Sequence, residues 1–343
     1  MFPASFKPTT TVFPSPESGS LASPTSIFAL HHQPPAESQN VLVLLHGYPQ
    51  NHTLWYEVVA ELAKVGILEA YHVVIPDLPG YGQSRKGPSP DGSHAANSKR
   101  AVASDIVATV DRLIGPTIPF VIIGHDRGAR VGYRMTKDFP ERIKALCVQD
   151  IVPTKLVFEK MSYAEGRHRE TFKSYHWIFV SAVNRRLPPK LIQPRHQKLA
   201  LPSPIPEEII GTSTAFFASN INKWTGSRFR GKFLPSAMAS WVDQYQSHEV
   251  VTGALEDYRA GASIDLDHDE EDEKNGTETI TCPLLSLYSV HLGDRFDVDG
   301  VWAKIAKGSF RSKKVGDKET GHFLPLEAVE ETTREVVQWL KTF

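Results

Sequence analysis

Residue 126 is an aspartate at the centre of a turn built to expose it. The stretch Val121-Ile122-Ile123-Gly124-His125-Asp126-Arg127-Gly128 runs from three apolar residues into Gly-x-Asp-x-Gly, and a helical pattern follows. A strand-to-helix turn of this form is a nucleophile elbow, which thrusts its central side chain above a sheet. Gly124 and Gly128 are small because strand and helix meet there at close range. Serine is the usual central residue. A carboxylate can instead displace a leaving group from saturated carbon and leave an ester that water cleaves. The N-terminus of the following helix favours the ionised form of Asp126.

Gly321-His322 follows the last strand pattern. Nucleophile, acid and late histidine is the chain order of α/β-hydrolases, so His322 is the expected base that takes a proton from attacking water. Two places could supply the acid that orients it. Asp150 ends the strand after the elbow helix, while Asp294 and Asp297 follow the strand pattern at 283–288; position favours Asp150. His46-Gly47-Tyr48-Pro49 ends an earlier strand at the same edge, so the backbone N–H groups of Tyr48 and Arg127 form the expected oxyanion hole. Arg127 and Arg130 lie three apart on one helix face. An arginine pair often does no more than bridge surface acids, but beside a nucleophilic carboxylate it suits bidentate capture of an anionic substrate. Such a grip would set the α-carbon in line with Asp126.

The elements that must position these residues are legible as alternating strands and helices. Val41-Leu42-Val43-Leu44-Leu45 is the continuous apolar run of a strand buried on both faces. Residues 54–65 and 99–114 carry apolar residues at three- and four-residue steps, as amphipathic helices do. With strands at 71–76, 121–124 and 145–148, this rhythm predicts βαβ units and a mainly parallel sheet flanked by helices: an α/β-hydrolase fold. After residue 152 the texture changes to dense aromatic and basic residues, with no clear strand before Ile280. The expected division is a loose leader at 1–26, a core at 27–152 and 278–343, and an inserted helical lid at 153–277. Within the lid, residues 184–206 read as a Pro-rich surface excursion and the acidic residues 265–273 as a solvated loop.

The 343 residues carry 41% hydrophobic and 22% charged residues with a formal net charge of -1, the make-up of an ordinary globular protein. Such a balance predicts no nucleic-acid or membrane partner and leaves room for a homodimer. No apolar run is long enough to span a bilayer and no basic-then-apolar leader opens the chain. With only Cys147 and Cys282, both beside apolar runs, free core thiols in a reducing, cytoplasmic setting are expected rather than a disulfide. The expected partner is a small-molecule substrate, a carboxylate, with no metal or organic cofactor.

Several segments together resemble the fluoroacetate and haloacetate dehalogenases, relatives of the epoxide hydrolases. They are Gly124-His125-Asp126-Arg127-Gly128-Ala129-Arg130, His46-Gly47-Tyr48-Pro49-Gln50-Asn51, Asp150-Ile151-Val152-Pro153-Thr154, His176-Trp177, Asp257-Tyr258-Arg259-Ala260-Gly261 and Gly321-His322-Phe323. The likeness runs from about residue 27 to the end. It implies Asp126 as nucleophile, His322 as base, Asp150 as acid, Arg127 and Arg130 as carboxylate clamp, and His176 with Trp177 as part of a halide pocket. Counting back from Asp257 puts the lid tyrosine that helps hold halide in those enzymes on Trp241, and residues 184–202 look inserted. The reaction implied is hydrolytic dehalogenation of a small 2-halo acid. An epoxide hydrolase, with Tyr163, Tyr175 and Tyr245 as candidate proton donors, and a ligand-binding relative without turnover are the alternatives.

Overall fold

A computed structural model describes residues 1–13, 25–161, 174, 176–177 and 214–343. Among the described residues nine strands make one sheet: β1 (Lys7–Phe13), β2 (Thr25–His32), β3 (Val41–Leu45), β4 (His72–Pro76), β5 (Arg85–Lys86), β6 (Phe120–His125), β7 (Ile143–Gln149), β8 (Leu284–Tyr288) and β9 (Phe310–Lys314). Their spatial order is β1-β2-β4-β3-β6-β7-β8-β9, with β5 paired to β2. From β4 to β9 every neighbouring pair is parallel, and β1 and β2 add an antiparallel edge. The strand β1 lies inside the stretch expected as a loose leader.

Burial explains why β3 is apolar throughout and β6 is apolar up to His125. All their residues are buried, because helices cover both faces. One layer of the core contains Val43, Ile122, Ile106 and Val110; the other contains Leu44, Ile123, Val59 and Val336. Each such Val, Ile or Leu stabilises the fold by roughly 1.5–3 kcal/mol on burial. The helix Lys99–Leu113 begins at Ser98, whose hydroxyl accepts the Ala101 N–H at 3.2 Å, a cap that satisfies one open backbone donor.

Between β7 and β8 the described residues are helical, including Thr154–Lys160, Thr214–Trp224, Pro235–Asp243, His248–Gly261 and Ile264–Asn275. The acidic stretch 265–273 is not a solvated loop: it lies in the last of these helices. Asp265 and Asp272, seven apart, are buried against cations from the core: Lys99 for the first, Arg134 and Lys137 for the second. Those partners come from distant sequence, so local composition could not reveal them. Residues 184–202 lie outside the described residues. Both cysteines are free, Cys147 buried and Cys282 half-buried. No helix among the described residues is long and apolar enough to cross a membrane.

Candidate active site

The parallel strands all end at one edge, and there the expected residues meet. Leu45 of β3 pairs with Gly124 of β6, and Gln149 of β7 with His125, so the turns after β3, β6 and β7 stand side by side. Asp126 holds φ 47° and ψ -116° at the head of the helix Arg127–Asp138, a left-handed conformation strained for a non-glycine residue. The sharp turn requires its glycines. A Cβ on Gly128 would lie 2.3 Å from the Leu45 carbonyl oxygen, and one on Gly47 would lie 2.5 Å from Cβ of Asp126.

His322 bridges two carboxylates. Its Nδ1 is 2.7 Å from Oδ2 of Asp150 and its Nε2 is 3.6 Å from Oδ2 of Asp126. The second distance is a charge contact rather than a hydrogen bond. Asp150 is fixed in turn by the Ser289 N–H, donated to Oδ1 at 2.7 Å. Asp294 is exposed, and Asp297 caps the helix Val298–Ile305 through the Gly300 N–H. Asp150 is therefore the acid that the structure brings to the histidine.

Charge at the site is shared among these three groups. Burial would lower the affinity of His322 for a proton, but contact with Asp126 and Asp150 overrides it and pushes the pKa up to about 10. Burial likewise favours neutral Asp126, yet the contact with and charge of His322, aided by His125 and Arg130, hold its carboxyl well below the usual range. Asp150 is also held low by His322, against burial. The resting state is thus an imidazolium between two carboxylates. Beneath it His125 is pulled down to about 4 by burial, with the His322 charge adding, so it is neutral at pH 7. Its Nε2 lies 2.9 Å from the His322 carbonyl oxygen and, as the N–H tautomer, donates to it.

The Tyr48 N–H donates to Oδ1 of Asp126 at 3.1 Å, as an oxyanion-hole donor should. Oδ1 is therefore held on one side while Oδ2 faces His322. The Arg127 N–H opens the helix after Asp126, where backbone donors are not consumed by the helix itself.

A cavity of about 500 Å³ opens over Asp126, with Arg130, His176, Trp177, Tyr258 and Trp224 in its wall. The two arginines of the expected clamp part company here. Arg130 lines the cavity, held by Nη1 bonds to the Val152 carbonyl at 2.7 Å and the Thr154 hydroxyl at 3.1 Å. Burial, with Arg127 adding, draws its pKa down to about 10 against the pull of Asp126. The Arg127 guanidinium is outside the cavity wall. Its Nε donates to Oδ2 of Asp257 and one Nη to the Asp257 carbonyl, both at 2.6 Å, and it lies 4.1 Å over the Tyr258 ring. The Arg127 side chain is turned inward because Asp257 is a buried acid that needs it; Lys99 and the Tyr81 hydroxyl complete that acid's partners.

The expectation for Trp241 also fails. Trp241 is fully buried among Phe323, Phe233 and Ile221, away from the cavity, and its Nε1 donates to the Thr53 hydroxyl at 2.8 Å. Among the described residues the cavity wall holds two tyrosines, Tyr48 and Tyr258, and Tyr258 packs at 6.0 Å against both His176 and Trp177. Tyr258 lies inside the Asp257-Tyr258-Arg259 segment itself, whereas Trp241 is sixteen residues before that segment. His176, buried in that wall, is pulled down to about 3 by burial, against the opposing charge of Asp126. Tyr245, expected as one proton donor, is stacked on Phe217 beside a separate small pocket; Tyr163 and Tyr175 lie outside the described residues.

Comparison with known proteins agrees with this fold. A family model described as the alpha/beta hydrolase fold matches residues 40–329. Fluoroacetate dehalogenase from Burkholderia sp is 32% identical over 307 residues, 87% of this chain and 86% of that protein. A solved structure described as an alpha/beta hydrolase, from Nostoc sp PCC 7120, is 31% identical with a TM-score of 0.77, covering 98% of this chain and 99% of that one. A mutant of a Pseudomonas aeruginosa protein described as an epoxide hydrolase is 27% identical with a TM-score of 0.75, covering 100% of this chain and 98% of that chain.

Proposed function

Because the chain belongs to the alpha/beta hydrolase fold family, on a branch shared with fluoroacetate dehalogenase and epoxide hydrolases, we propose that it dehalogenates 2-halo carboxylic acids through an ester on Asp126. The observation that carries this reading is Asp126 itself, an ionised carboxylate held at an elbow by the Tyr48 N–H on Oδ1 and facing His322 with Oδ2. In the first step Oδ2 bonds to the α-carbon as the carbon–halogen bond breaks and the halide departs with its electron pair. Arg130 holds the substrate carboxylate. Tyr258 and Trp177, both in the cavity wall and in the segment inserted between β7 and β8, offer an O–H and an N–H to the leaving halide.

Ester formation cancels the Asp126 charge, and the imidazolium loses one of the two carboxylates that keep it protonated. His322 can then release its proton and act as base. Water attacks the ester carbonyl carbon as His322 takes its proton. The negative charge develops on Oδ1, already aimed at the Tyr48 N–H, with the Arg127 N–H as second donor. Collapse breaks the bond to the alkyl oxygen, which receives the proton from His322. Halo acid and water thus become hydroxy acid, halide and a proton.

A cavity of about 500 Å³ falls in the range of sites that enclose ligands much larger than an acetate. It supports 2-halo acids with a side chain beyond haloacetate. Halide release from a series of 2-halo acids of rising chain length tests the reading: activity should rise beyond the acetate, and silence across the series would remove it. Epoxide opening is the second reading, favoured by the Tyr258 hydroxyl in the cavity wall, which could protonate the opening oxygen.

A further inference from the structure

Five residues beyond His322 lies a buried carboxylate with no part in the chemistry above. Glu327 ends the short helix Leu324–Glu327 and is 4% exposed. Its Oε2 accepts the N–H groups of Gly226 at 2.7 Å and Gly321 at 2.8 Å, and its Oε1 accepts that of Phe323 at 3.0 Å. The N–H of His322 donates to the Trp224 carbonyl at 2.9 Å. Every backbone donor from residue 321 to 323 is therefore bound, two of them by one carboxylate, and the His322 carbonyl is bound to His125.

That same carboxylate joins two parts of the fold. Gly226 follows the helix Thr214–Trp224 of the insertion, and Gly321 belongs to the loop after β9. They touch so closely that a Cβ on Gly321 would lie 2.3 Å from the Gly226 nitrogen. Trp224 lines the cavity, its ring 4.7 Å from His176 and 6.5 Å from His322.

We propose that Glu327 is a positioning residue: it sets the His322 loop for ester hydrolysis and fastens that loop to the cavity wall at Trp224 and Gly226. The proposal rests on the Asp126-ester reading. An N–H deprived of its acceptor in this buried place must find another or remain unsatisfied, so the loop shifts. A shift of about 1 Å in a catalytic group costs roughly 100-fold in rate. The cost falls on one step only. Asp126 attacks carbon without proton transfer, while water needs His322 in place.

The test compares wild type with Glu327→Gln, which keeps the side-chain size but turns an NH2 toward a backbone N–H, and with Glu327→Ala. Rapid-quench mass spectrometry separates ester formation from ester hydrolysis on a 2-halo acid. The expected result for folded Glu327→Gln is ester formation near the wild-type rate and hydrolysis roughly 100-fold slower, so that ester accumulates. Equal slowing of both steps would mean a structural role alone and would overturn the proposal, as would unimpaired hydrolysis. Proton NMR of the His322 Nδ1–H shared with Asp150 decides the matter without turnover. Its low-field resonance should shift or broaden in Glu327→Gln, and an unchanged resonance overturns the proposal even if no ester forms in any variant. An absent ester in wild type with a displaced resonance would instead sink the Asp126 reading and leave the positioning role standing.

Discussion

Replacing Asp126 with asparagine removes one of the two carboxylates that hold the proton on His322, and imitates the charge of the ester. The two groups are 3.6 Å apart. At an effective dielectric constant of about 20, one such charge pair is worth about 4–5 kcal/mol. With about 1.4 kcal/mol per pH unit of proton affinity, that is enough to bring His322 from about 10 back to the neighbourhood of its ordinary 6.5. The assay is an NMR titration of the His322 ring in both proteins. Wild type should stay protonated well above neutrality, and Asp126→Asn should titrate near neutrality. The same linkage affects stability. A folded-state pKa raised above the unfolded value contributes stability that is fully present below 6.5 and is lost as pH rises through about 10. Wild type should therefore lose up to about 4–5 kcal/mol of unfolding free energy over that window, while the variant stays nearly flat. Identical titration of His322 in the two proteins would refute the claim that Asp126 controls the base.

Other substitutions separate roles that lie close in sequence. Arg127→Ala should destabilise the protein by about 3–5 kcal/mol in denaturant unfolding, because a buried acid loses its main partner; Arg130→Ala should mainly raise KM for halo acids, by roughly tenfold to 100-fold for a lost charge-assisted contact. Tyr258→Phe should lower kcat for dehalogenation by roughly 100-fold if its hydroxyl receives the halide, with an unchanged unfolding midpoint because that hydroxyl makes no hydrogen bond among the described residues. Gly47→Ala places a Cβ 2.5 Å from that of Asp126; it should abolish ester formation and cost about 1–3 kcal/mol of stability from overpacking.

Much of this site is legible in the sequence. The elbow glycines, the apolar strands and the late Gly321-His322 are local patterns, and the parallel sheet follows from their rhythm. Asp150 could be favoured from position because a strand end after the elbow helix must reach the same edge. What stayed hidden depended on partners far away in sequence. Arg127 and Arg130 share a helix face, and nothing local says that Asp257, 130 residues further on, would claim the first and leave the second to the cavity. The acidic helix reads as a loop for the same reason: its cations are in the helices Lys99–Leu113 and Arg127–Asp138. Trp241 was a register error across helical segments whose spacing the sequence does not fix. The positive φ at Asp126 and Asp150 marks backbone strain, which no propensity reveals.

The central claim is a covalent ester on Asp126, and intact-protein mass spectrometry of a His322→Asn variant tests it most directly. That variant keeps the nucleophile and loses the base. After exposure to a 2-halo acid it should gain the mass of the acid less its halide, and the gain should vanish when Asp126→Asn is added. A folded His322→Asn protein that gains no mass from any halo acid or epoxide, or a mass gain that survives loss of the Asp126 carboxylate, would contradict the account.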